Sequence, residues 1–352
     1  MIISLLFGSV YCVILEEIVI FRFVLLVFVK VYVLGFSLFS VGDCLRVLIT
    51  GGAGFIGSHT VDRFLAEGFD VVVLDNLRSG SLDNVRQHFS RADFHFVRGD
   101  VRDAGLVRSL VGDADFVVHL AALVSVPESM KDPALTFDIN VNGTLNLLKA
   151  CVDSSIKRFV YASSCAVYGN AEELPIKEDA PAKPVSPYGV SKLGAERHVL
   201  KFYEEFGLET VCLRYFNVYG PRQALNEYSG VITQFLNRIK NDMPLVIFGN
   251  GEQTRDYVHV EDVAEANLLA LKGSGAAGEI FNIGTGVATS INRLASILLK
   301  IANKEHLKIQ HCEARKGDIK HSVADVSKAR EKLGYNPKIP LEDGLRKLLL
   351  EN

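Results

Sequence analysis

The sequence predicts an α/β fold with a doubly wound parallel sheet. Three observations lead to this fold class: short apolar runs alternate with helix-like segments, a glycine-rich turn joins the first run to the first helix, and the second run ends at an aspartate. Apolar runs connected by helices are typical of buried parallel strands. The chain has 352 residues, which is enough for about two domains.

Composition and charge exclude several classes of protein. Hydrophobic residues make up 49% of the chain and charged residues 22%, which is typical of a folded globular protein. The formal net charge of −3 offers no basic excess for nucleic acid. The cysteines and histidines show no CxxC or paired ligand spacing. We therefore expect reduced thiols, no disulfide scaffold, no structural metal and a cytoplasmic protein.

The first 44 residues form a separate segment. They contain 32 hydrophobic residues and no proline, and residues 23–42 carry a single charge, Lys30, so the stretch is long enough to cross a bilayer. Glu16 and Glu17 interrupt the early apolar run, which argues against a cleaved signal peptide. Because the first structural unit starts at Leu45 without a polar spacer, we expect residues 1–44 to be a mis-assigned translation start. A membrane anchor is the alternative.

The body of the chain then follows in regular order. Predicted strands cover residues 46–50, 70–74, 94–98, 116–120, 158–162 and 209–214, and helix-like segments include 135–151 and 192–206. After Tyr215, prolines and glycines break the chain into shorter elements. We therefore predict a Rossmann-type domain over residues 45–216. A smaller mixed α/β substrate-binding domain follows over 217–352, with some exchange of chain between the two.

A glycine-rich turn and an aspartate predict a dinucleotide site. Gly51, Gly54 and Gly57 follow the first strand, where glycines allow a tight turn and the close approach of a pyrophosphate. The helix that begins there adds amide donors and the positive end of its dipole. Asp75 ends the second strand, where a carboxylate binds ribose hydroxyls and repels a 2′-phosphate, which favours NAD over NADP. The alternative role of Asp75 is to cap the loop 76–80.

Tyr188, Lys192 and Ser164 form a candidate catalytic group. Tyr188 and Lys192 are four residues apart and therefore share one helix face. A positive charge favours the phenolate, as would a positive nicotinamide ring, so Tyr188 is the predicted base near neutral pH. Ser164 follows a predicted strand, where its hydroxyl points into the cleft and can bond the reacting oxygen. The alternative for the Tyr188–Lys192 pair is an ordinary helix surface.

These motifs together resemble a known family. The glycine turn, residues 119–122 (HLAA), the Ser164/Tyr188/Lys192 group, residues 214–222 (RYFNVYGPR) and residues 255–259 (RDYVH) are similar to the extended short-chain dehydrogenase/reductases. Within them, the sequence resembles the NAD-dependent epimerase/dehydratase family that acts on nucleotide sugars. The resemblance covers residues 45–350. It implies tightly bound NAD, a homodimer formed through a helix bundle, and a nucleoside-diphosphate sugar in the cleft.

The resemblance also implies a role for individual residues. At the dinucleotide it places Phe55 and Ile56 on the pyrophosphate, Asp75 and Asn76 on the ribose, and Asp100 and Val101 on the adenine. Residues Leu120, Ala121 and Ala122 would line the cofactor, and Asn140 would hold a backbone turn beside it. Lys192 would bond the nicotinamide ribose, with Tyr188 and Phe216 nearby. At the substrate it places Asn217, Arg255, Arg315 and Asp318 on the diphosphate and uridine, with Val246 and Phe248 flanking the base. Arginines suit a diphosphate; the alternative is solvated surface arginines.

The residues after Ser164 bear on the reaction. Dehydratases similar to this chain carry an Asp-Glu pair there, and the related decarboxylases carry a Glu, whereas here Cys165 and Ala166 follow. Without that carboxylate both reactions lose their acid/base group, so we expect 4-epimerisation of a UDP-hexose through a 4-keto intermediate. A UDP-uronate epimerase, decarboxylase or dehydrogenase is the alternative enzyme. A non-catalytic dinucleotide-binding regulatory protein is the alternative of another class.

Ser322 bears on the size of the sugar. In the family that the chain resembles, this position lies beside the C2 substituent, and it is a tyrosine in epimerases confined to unsubstituted hexoses. The serine here leaves room for an N-acetyl group. We therefore expect turnover of the UDP-N-acetylhexosamine pair as well. The alternative is that Ser322 only begins a strand and a neighbouring side chain fills the space.

Overall fold

The large sheet has the strand order of a doubly wound fold. In the computed structural model, which describes residues 45–224, 230–314 and 319–351, seven parallel strands lie in the order β10-β6-β5-β4-β1-β2-β3. They are β1 (Arg46–Thr50), β2 (Asp70–Asp75), β3 (Phe94–Arg98), β4 (Phe116–His119), β5 (Arg158–Ser164), β6 (Thr210–Tyr215) and β10 (Glu279–Ile283). The predicted fold class is confirmed.

Helices cover both faces of this sheet. The longer ones are α1 (Phe55–Ala66), α2 (Ala104–Gly112), α5 (Gly143–Val152), α6 (Pro187–Phe206) and α8 (Val260–Lys272), and two short ones, α3 (Val126–Lys131) and α4 (Pro133–Phe137), precede α5. One apolar core lies under α1 and α8, and a second lies under α2, α5 and α6. The strands are therefore buried on both sides, which explains their continuous apolar runs.

The remaining elements build two small sheets. β9 (Thr254–His259) pairs in parallel with β7 (Asn217–Tyr219) and β13 (His321–Ser322) and antiparallel with β11 (Ala288–Ser290). β8 (Leu245–Phe248) pairs with β12 (Ile309–Cys312). The helices beside these sheets are α7 (Val231–Lys240), α9 (Ile291–Ile301) and α11 (Leu341–Glu351). Helix α10 (Ser327–Leu333) packs instead on β10 of the large sheet. The predicted domain boundary between residues 216 and 217 stays a prediction.

The predicted helix over 135–151 is interrupted. A π-helical turn, Asp138–Asn142, separates α4 from α5. The start of α5 packs closely on Val101, since a Cβ atom at Gly143 would lie 2.6 Å from Cγ2 of that valine. The interruption turns Asn140 inward, where it is 1% exposed and fully hydrogen-bonded.

The helix that carries Tyr188 and Lys192 begins earlier than residue 192. It starts at Pro187, because the Ser186 hydroxyl accepts the Gly189 N–H at 3.1 Å and caps the first turn. It ends at Phe206 and is capped by Gly207, whose φ of +70° suits glycine. The predicted Tyr188–Lys192 pair therefore lies on one continuous helix.

The predictions for residues 1–44, Arg315 and Asp318 concern residues outside those that the structure describes. Within the described part of the chain, every helix is too short or too polar to span a membrane.

Candidate active site

The glycine turn between β1 and α1 brings stretches of backbone into direct contact. Gly51 has a φ of +72°, and a Cβ atom there would lie 2.8 Å from the Ala121 nitrogen. A Cβ atom at Gly57 would lie 2.0 Å from the Gly51 oxygen. Any side chain at either position would displace the turn. The turn therefore places Gly51 directly against residues 120–121, which follow β4, and packs the first turn of α1 on Gly51.

The N-terminus of α1 has no side-chain cap. Gly54 stands at the cap position, and the first turn contains no acidic residue. The first N–H groups of a helix have no partner within the helix, so those of Phe55 and Ile56 point out of its positive end. This arrangement fits a diphosphate. It is an observation on the protein alone that supports a dinucleotide here.

Asp75, at the end of β2, hydrogen-bonds both the glycine turn and the loop that follows β2. One carboxylate oxygen accepts the Ala53 N–H at 3.0 Å, and the other accepts the Leu77 N–H at 2.8 Å. Burial raises the pKa of this carboxyl, opposed by those two hydrogen bonds. The predicted alternative role as a loop cap is thus present, and the carboxylate keeps acceptor capacity for ribose hydroxyls.

Asp100 and Asn76 lie together at the neighbouring strand ends. The Asn76 amide donates to Asp100 at 2.9 Å, and Arg102 pairs with the same carboxylate at 3.0 Å. The hydrogen bonds from Arg102 hold the pKa of Asp100 well below its usual range. Val101, which follows, is buried against α5. The structure therefore brings the predicted ribose and adenine residues to one end of the sheet.

Asn140 connects the segment after β4 to the catalytic helix. Its side chain bonds both the N–H of Leu123 at 2.8 Å and the carbonyl of Leu123 at 3.0 Å. It also donates to Ser191 on α6 at 2.9 Å. The path of residues 120–123 past the glycine turn is thereby fixed. The family resemblance implied this role for Asn140, namely that it fixes a backbone turn beside the cofactor.

The three candidate catalytic residues converge at the end of β5. Lys192 is 3% exposed and donates from Nζ to the Ala162 carbonyl at 2.8 Å. The Ser164 hydroxyl hydrogen-bonds the Tyr188 side chain, and both residues are half-buried. Ser164 also accepts the Ala166 N–H at 3.2 Å, which fixes its orientation. A hydroxyl, a phenol and an ammonium thus meet at one strand end.

Burial controls the titration of this group. It raises the pKa of Tyr188 to about 12, although the Ser164 hydrogen bond opposes the shift. It lowers the pKa of Lys192 to about 7. Lys192 therefore does not lower the pKa of Tyr188 to near neutrality in the protein alone. For both groups, the loss of hydration on burial outweighs the electrostatic attraction between them. A further positive charge at Tyr188 is needed for the predicted base.

Cys165 connects the catalytic residues to the small sheet that contains β9 and β13. Its thiol shares a hydrogen bond with Ser322, and Arg255 and Tyr188 are close enough to act electrostatically. Burial raises the pKa of this thiol to about 11, so it stays protonated at neutral pH. Ser322 is 6% exposed and pairs with Arg255 between β13 and β9. The predicted sugar-size residue thus lies next to the catalytic strand end.

The other predicted substrate residues that the structure describes lie on β7, β8 and β9, and Phe216, predicted near the cofactor, directly precedes β7. Asn217 begins β7, and Phe216 packs in the apolar cluster that Cys165 borders. Val246 and Phe248 share one face of β8, because Leu245 and Ile247 are buried on the other. Arg255 is half-buried rather than fully solvated, and its guanidinium donates to the Thr254 carbonyl at 2.8 Å.

Sequence reasoning missed several residues of the site. His119 entered only as part of a motif, and Thr50, Thr144 and Ser191 were not singled out. The structure places all four in a buried hydrogen-bond chain beside the glycine turn. The available signal was polarity, since Thr50 and His119 each end an otherwise apolar strand. Among the residues that the structure describes, no cluster of three His, Cys, Asp or Glu side chains could hold a metal ion.

Comparisons with known proteins agree with this geometry. The model for the family described as GDP-mannose 4,6 dehydratase matches residues 48–348. The chain is 40% identical to a putative UDP-glucose 4-epimerase of Methanocaldococcus jannaschii, over 86% of this chain and 97% of that protein.

Two solved structures are similar throughout. One is a UDP-N-acetylglucosamine 4-epimerase of Methanobrevibacter ruminantium in complex with UDP-N-acetylmuramic acid, with 37% identity, a TM-score of 0.83, and coverage of 88% of this chain and 98% of that one. The other is a UDP-glucose 4-epimerase of Thermus thermophilus in complex with NAD, with 38% identity, a TM-score of 0.79, and coverage of 87% and 98%.

Proposed function

The chain belongs to the NAD-dependent epimerase/dehydratase family of nucleotide-sugar enzymes, and we propose that it is a 4-epimerase of UDP-hexoses. The glycine turn, the uncapped start of α1 and Asp75 fit NAD, the cofactor of this family. Phe55, Ile56, Asp75 and Lys192 would hold it. When bound, NAD would supply a positively charged nicotinamide ring and the capacity to take up hydride from C4 of the sugar and return it.

The observation that carries the 4-epimerase proposal is the chemistry beside Ser164. Dehydration and decarboxylation need an acid/base group there in addition to the tyrosine. The next two residues are Cys165 and Ala166. The Cys165 thiol is protonated and interacts with Ser322 through a hydrogen bond. The group that can transfer a proton at this strand end is therefore Tyr188, and it would act on the 4-hydroxyl of the sugar.

The residues of the chain divide the work of the reaction. Tyr188 removes the proton of the 4-hydroxyl and gives it back after the 4-keto sugar has turned over. Ser164, hydrogen-bonded to Tyr188, holds the reacting oxygen in line with the phenol. Lys192 stays in place through its bond to Ala162 and adds positive charge when protonated. The net reaction is redox-neutral.

Ser322 supports a substrate range that includes N-acetylated sugars. Its small side chain stands between Cys165 and the β9 strand that carries Arg255. A Methanobrevibacter ruminantium protein of the same fold is a UDP-N-acetylglucosamine 4-epimerase. We include UDP-N-acetylglucosamine with UDP-glucose as proposed substrates.

A homodimer and a cytoplasmic location complete the proposal. Neighbouring helices carry exposed apolar side chains: Met130 on α3 is 62% exposed, Phe137 on α4 is 37% exposed, and Val190 on α6 is 41% exposed. A second copy packed on these helices would cover them, as the family resemblance implies.

The proposal is tested by supplying three substrates separately. Purified full-length protein is incubated with UDP-glucose, UDP-N-acetylglucosamine or UDP-glucuronate, and the products are identified by chromatography. We expect the 4-epimers of the first two. Carbon dioxide or NADH released from UDP-glucuronate would support the uronate alternative. Absence of conversion of all three, with NAD bound, would support a non-catalytic role.

A further inference from the structure

A buried chain of hydrogen bonds begins at Thr50, the residue before the glycine turn. His119 ends the neighbouring strand β4 directly opposite Thr50 and is 1% exposed. Its Nδ1 atom lies 2.7 Å from Oγ1 of Thr50, and its Nε2 atom lies 2.9 Å from Oγ1 of Thr144 on α5. The imidazole thus bridges β1, the strand before the glycine turn, and helix α5.

The partners of the two threonines determine where the imidazole proton is. The Thr144 hydroxyl donates to the Asn140 carbonyl at 2.6 Å, so toward His119 it can only accept. The Thr50 hydroxyl accepts the Ala121 N–H at 3.3 Å and is free to donate to Nδ1. His119 is therefore neutral and protonated at Nε2. Burial agrees, since it lowers the pKa of His119 to about 3, with a smaller contribution from Lys192.

The chain continues to the catalytic helix. The Asn140 side chain, which is clamped on both backbone groups of Leu123, donates to the Ser191 hydroxyl at 2.9 Å. Ser191 in turn donates to the Tyr188 carbonyl at 2.8 Å. Every donor and acceptor along this path has a partner. The hydrogen bonds therefore connect the residue before Gly51 to the backbone of Tyr188.

We propose that His119 is a positioning residue that holds the cofactor turn and the Tyr188 helix in one fixed arrangement. The inference rests on the proposed function for the roles of the turn and of Tyr188. His119 itself is too deeply buried to touch substrate. Interrupting the chain on either side of the imidazole loosens both ends, so NAD retention and turnover fall together. The KM for the UDP-sugar stays unchanged, because the small sheet that carries Arg255 and Ser322 takes no part in this chain of hydrogen bonds.

The test removes one hydroxyl at a time without changing side-chain shape. Thr50→Val, Thr144→Val and the double variant are made in the full chain. For each, NAD released on denaturation is measured per protein, together with kcat and KM for UDP-glucose. We expect each single variant to lose about tenfold in kcat, as befits one lost buried hydrogen bond, and to retain less NAD. The double variant should be little worse than either single one, because one break already disconnects the chain.

A matched control and a second pair of variants keep the test decisive. Thr210 on β6 is fully buried, and its hydroxyl has no hydrogen-bond partner within the described part of the structure, so Thr210→Val should change neither quantity. His119→Gln places an amide donor toward Thr144 and His119→Asn an acceptor toward Thr50, so each should retain part of the function that His119→Leu loses.

Two results would overturn the proposal. One is normal NAD content and kcat in both threonine variants, even with lowered thermal stability, because this indicates a merely structural role. The other is fully additive losses in the double variant, which indicate separate contacts. NAD content is measured without any sugar. It therefore decides the proposal even if the wild-type protein converts no UDP-sugar, which would contradict only the proposed function.

Discussion

At the scale of single residues, the ionisation of Tyr188 depends on two opposing effects, the nearby Lys192 and burial. The sequence places a lysine four residues away, and that proximity favours a phenolate. The structure adds burial, which acts in the opposite direction on both groups and dominates. Spacing along a helix shows which groups meet, but not how much water remains around them.

Replacing Tyr188 by phenylalanine tests its role as the base. Tyr188→Phe keeps the ring and the helix, so NAD content should be unchanged. Turnover should fall by roughly 10²–10⁴-fold, the usual contribution of a general base. Conversion of UDP-glucose by the folded variant is the measurement. Turnover close to that of the wild type would exclude Tyr188 from the mechanism.

Lys192 should give the NAD-free protein a distinctive pH dependence. Its pKa is about 7 in the folded state and 10.5 without burial, so between these values the unfolded chain binds more protons. The free energy of unfolding should therefore rise with pH across that window, by up to about 1.4 kcal/mol per unit.

Urea unfolding of the wild type and Lys192→Met, each at two pH values inside this window, isolates the effect. The other titrating groups are common to both proteins and cancel in the difference. The variant should lack the extra rise in stability. An identical pH dependence in both proteins would show that Lys192 remains charged in the fold.

Ser322 should limit the size of the sugar. Ser322→Tyr adds an aromatic ring beside Cys165 and should abolish conversion of UDP-N-acetylglucosamine by steric exclusion while sparing UDP-glucose. Ser322→Ala is the matched control and should convert both. The measurement is the kcat/KM ratio for the two substrates. Equal loss of both activities in the tyrosine variant would mean that Ser322 does not act as this gate.

At the scale of elements, predictions from the sequence were best where burial is continuous. β1 and β3 have the predicted bounds, and each of them ends at a polar residue followed by glycine. The helix over 135–151 was predicted as unbroken, since a π-turn is a single widened turn that leaves the composition helical and interrupts the apolar period only locally. β10 could not be assigned to the large sheet, because its pairing with β6 is a long-range contact.

A buried ion pair ties helix α6 to strands β5 and β6. Glu196 pairs with Arg214 at 2.6 Å and accepts the Ser163 hydroxyl at 2.6 Å, and both charged residues are nearly unexposed. Glu196→Gln leaves the guanidinium buried without its counter-charge. We expect a loss of about 3–5 kcal/mol in the free energy of unfolding, measured by urea titration.

The same helix offers the control for this prediction. Glu205 pairs with Lys201 at the exposed end of α6, so Glu205→Gln should have little effect on stability. If Glu196→Gln were as mild as Glu205→Gln, the interior pair would contribute nothing to holding the helix on the sheet.

At the scale of the whole molecule, the body should not depend on the first 44 residues. β1 begins at Arg46, and its backbone partners are residues 70–74 and 116–119 of the body. A chain that starts at Leu45 should therefore be soluble, NAD-loaded and as active as the full chain on UDP-glucose. Insolubility or loss of activity on truncation would show that residues 1–44 are needed for folding or function.

The position of β10 has a consequence for how the protein is made. On the ribosome, β6 emerges before residues 216–278, and its outer edge has no native partner until Glu279–Ile283 follows. At about 5–20 residues per second this interval lasts roughly 3–13 s. An unpaired strand edge is a template for pairing with other chains. The partly synthesised chain is therefore exposed to misassembly at this edge during that interval, until β10 pairs with β6.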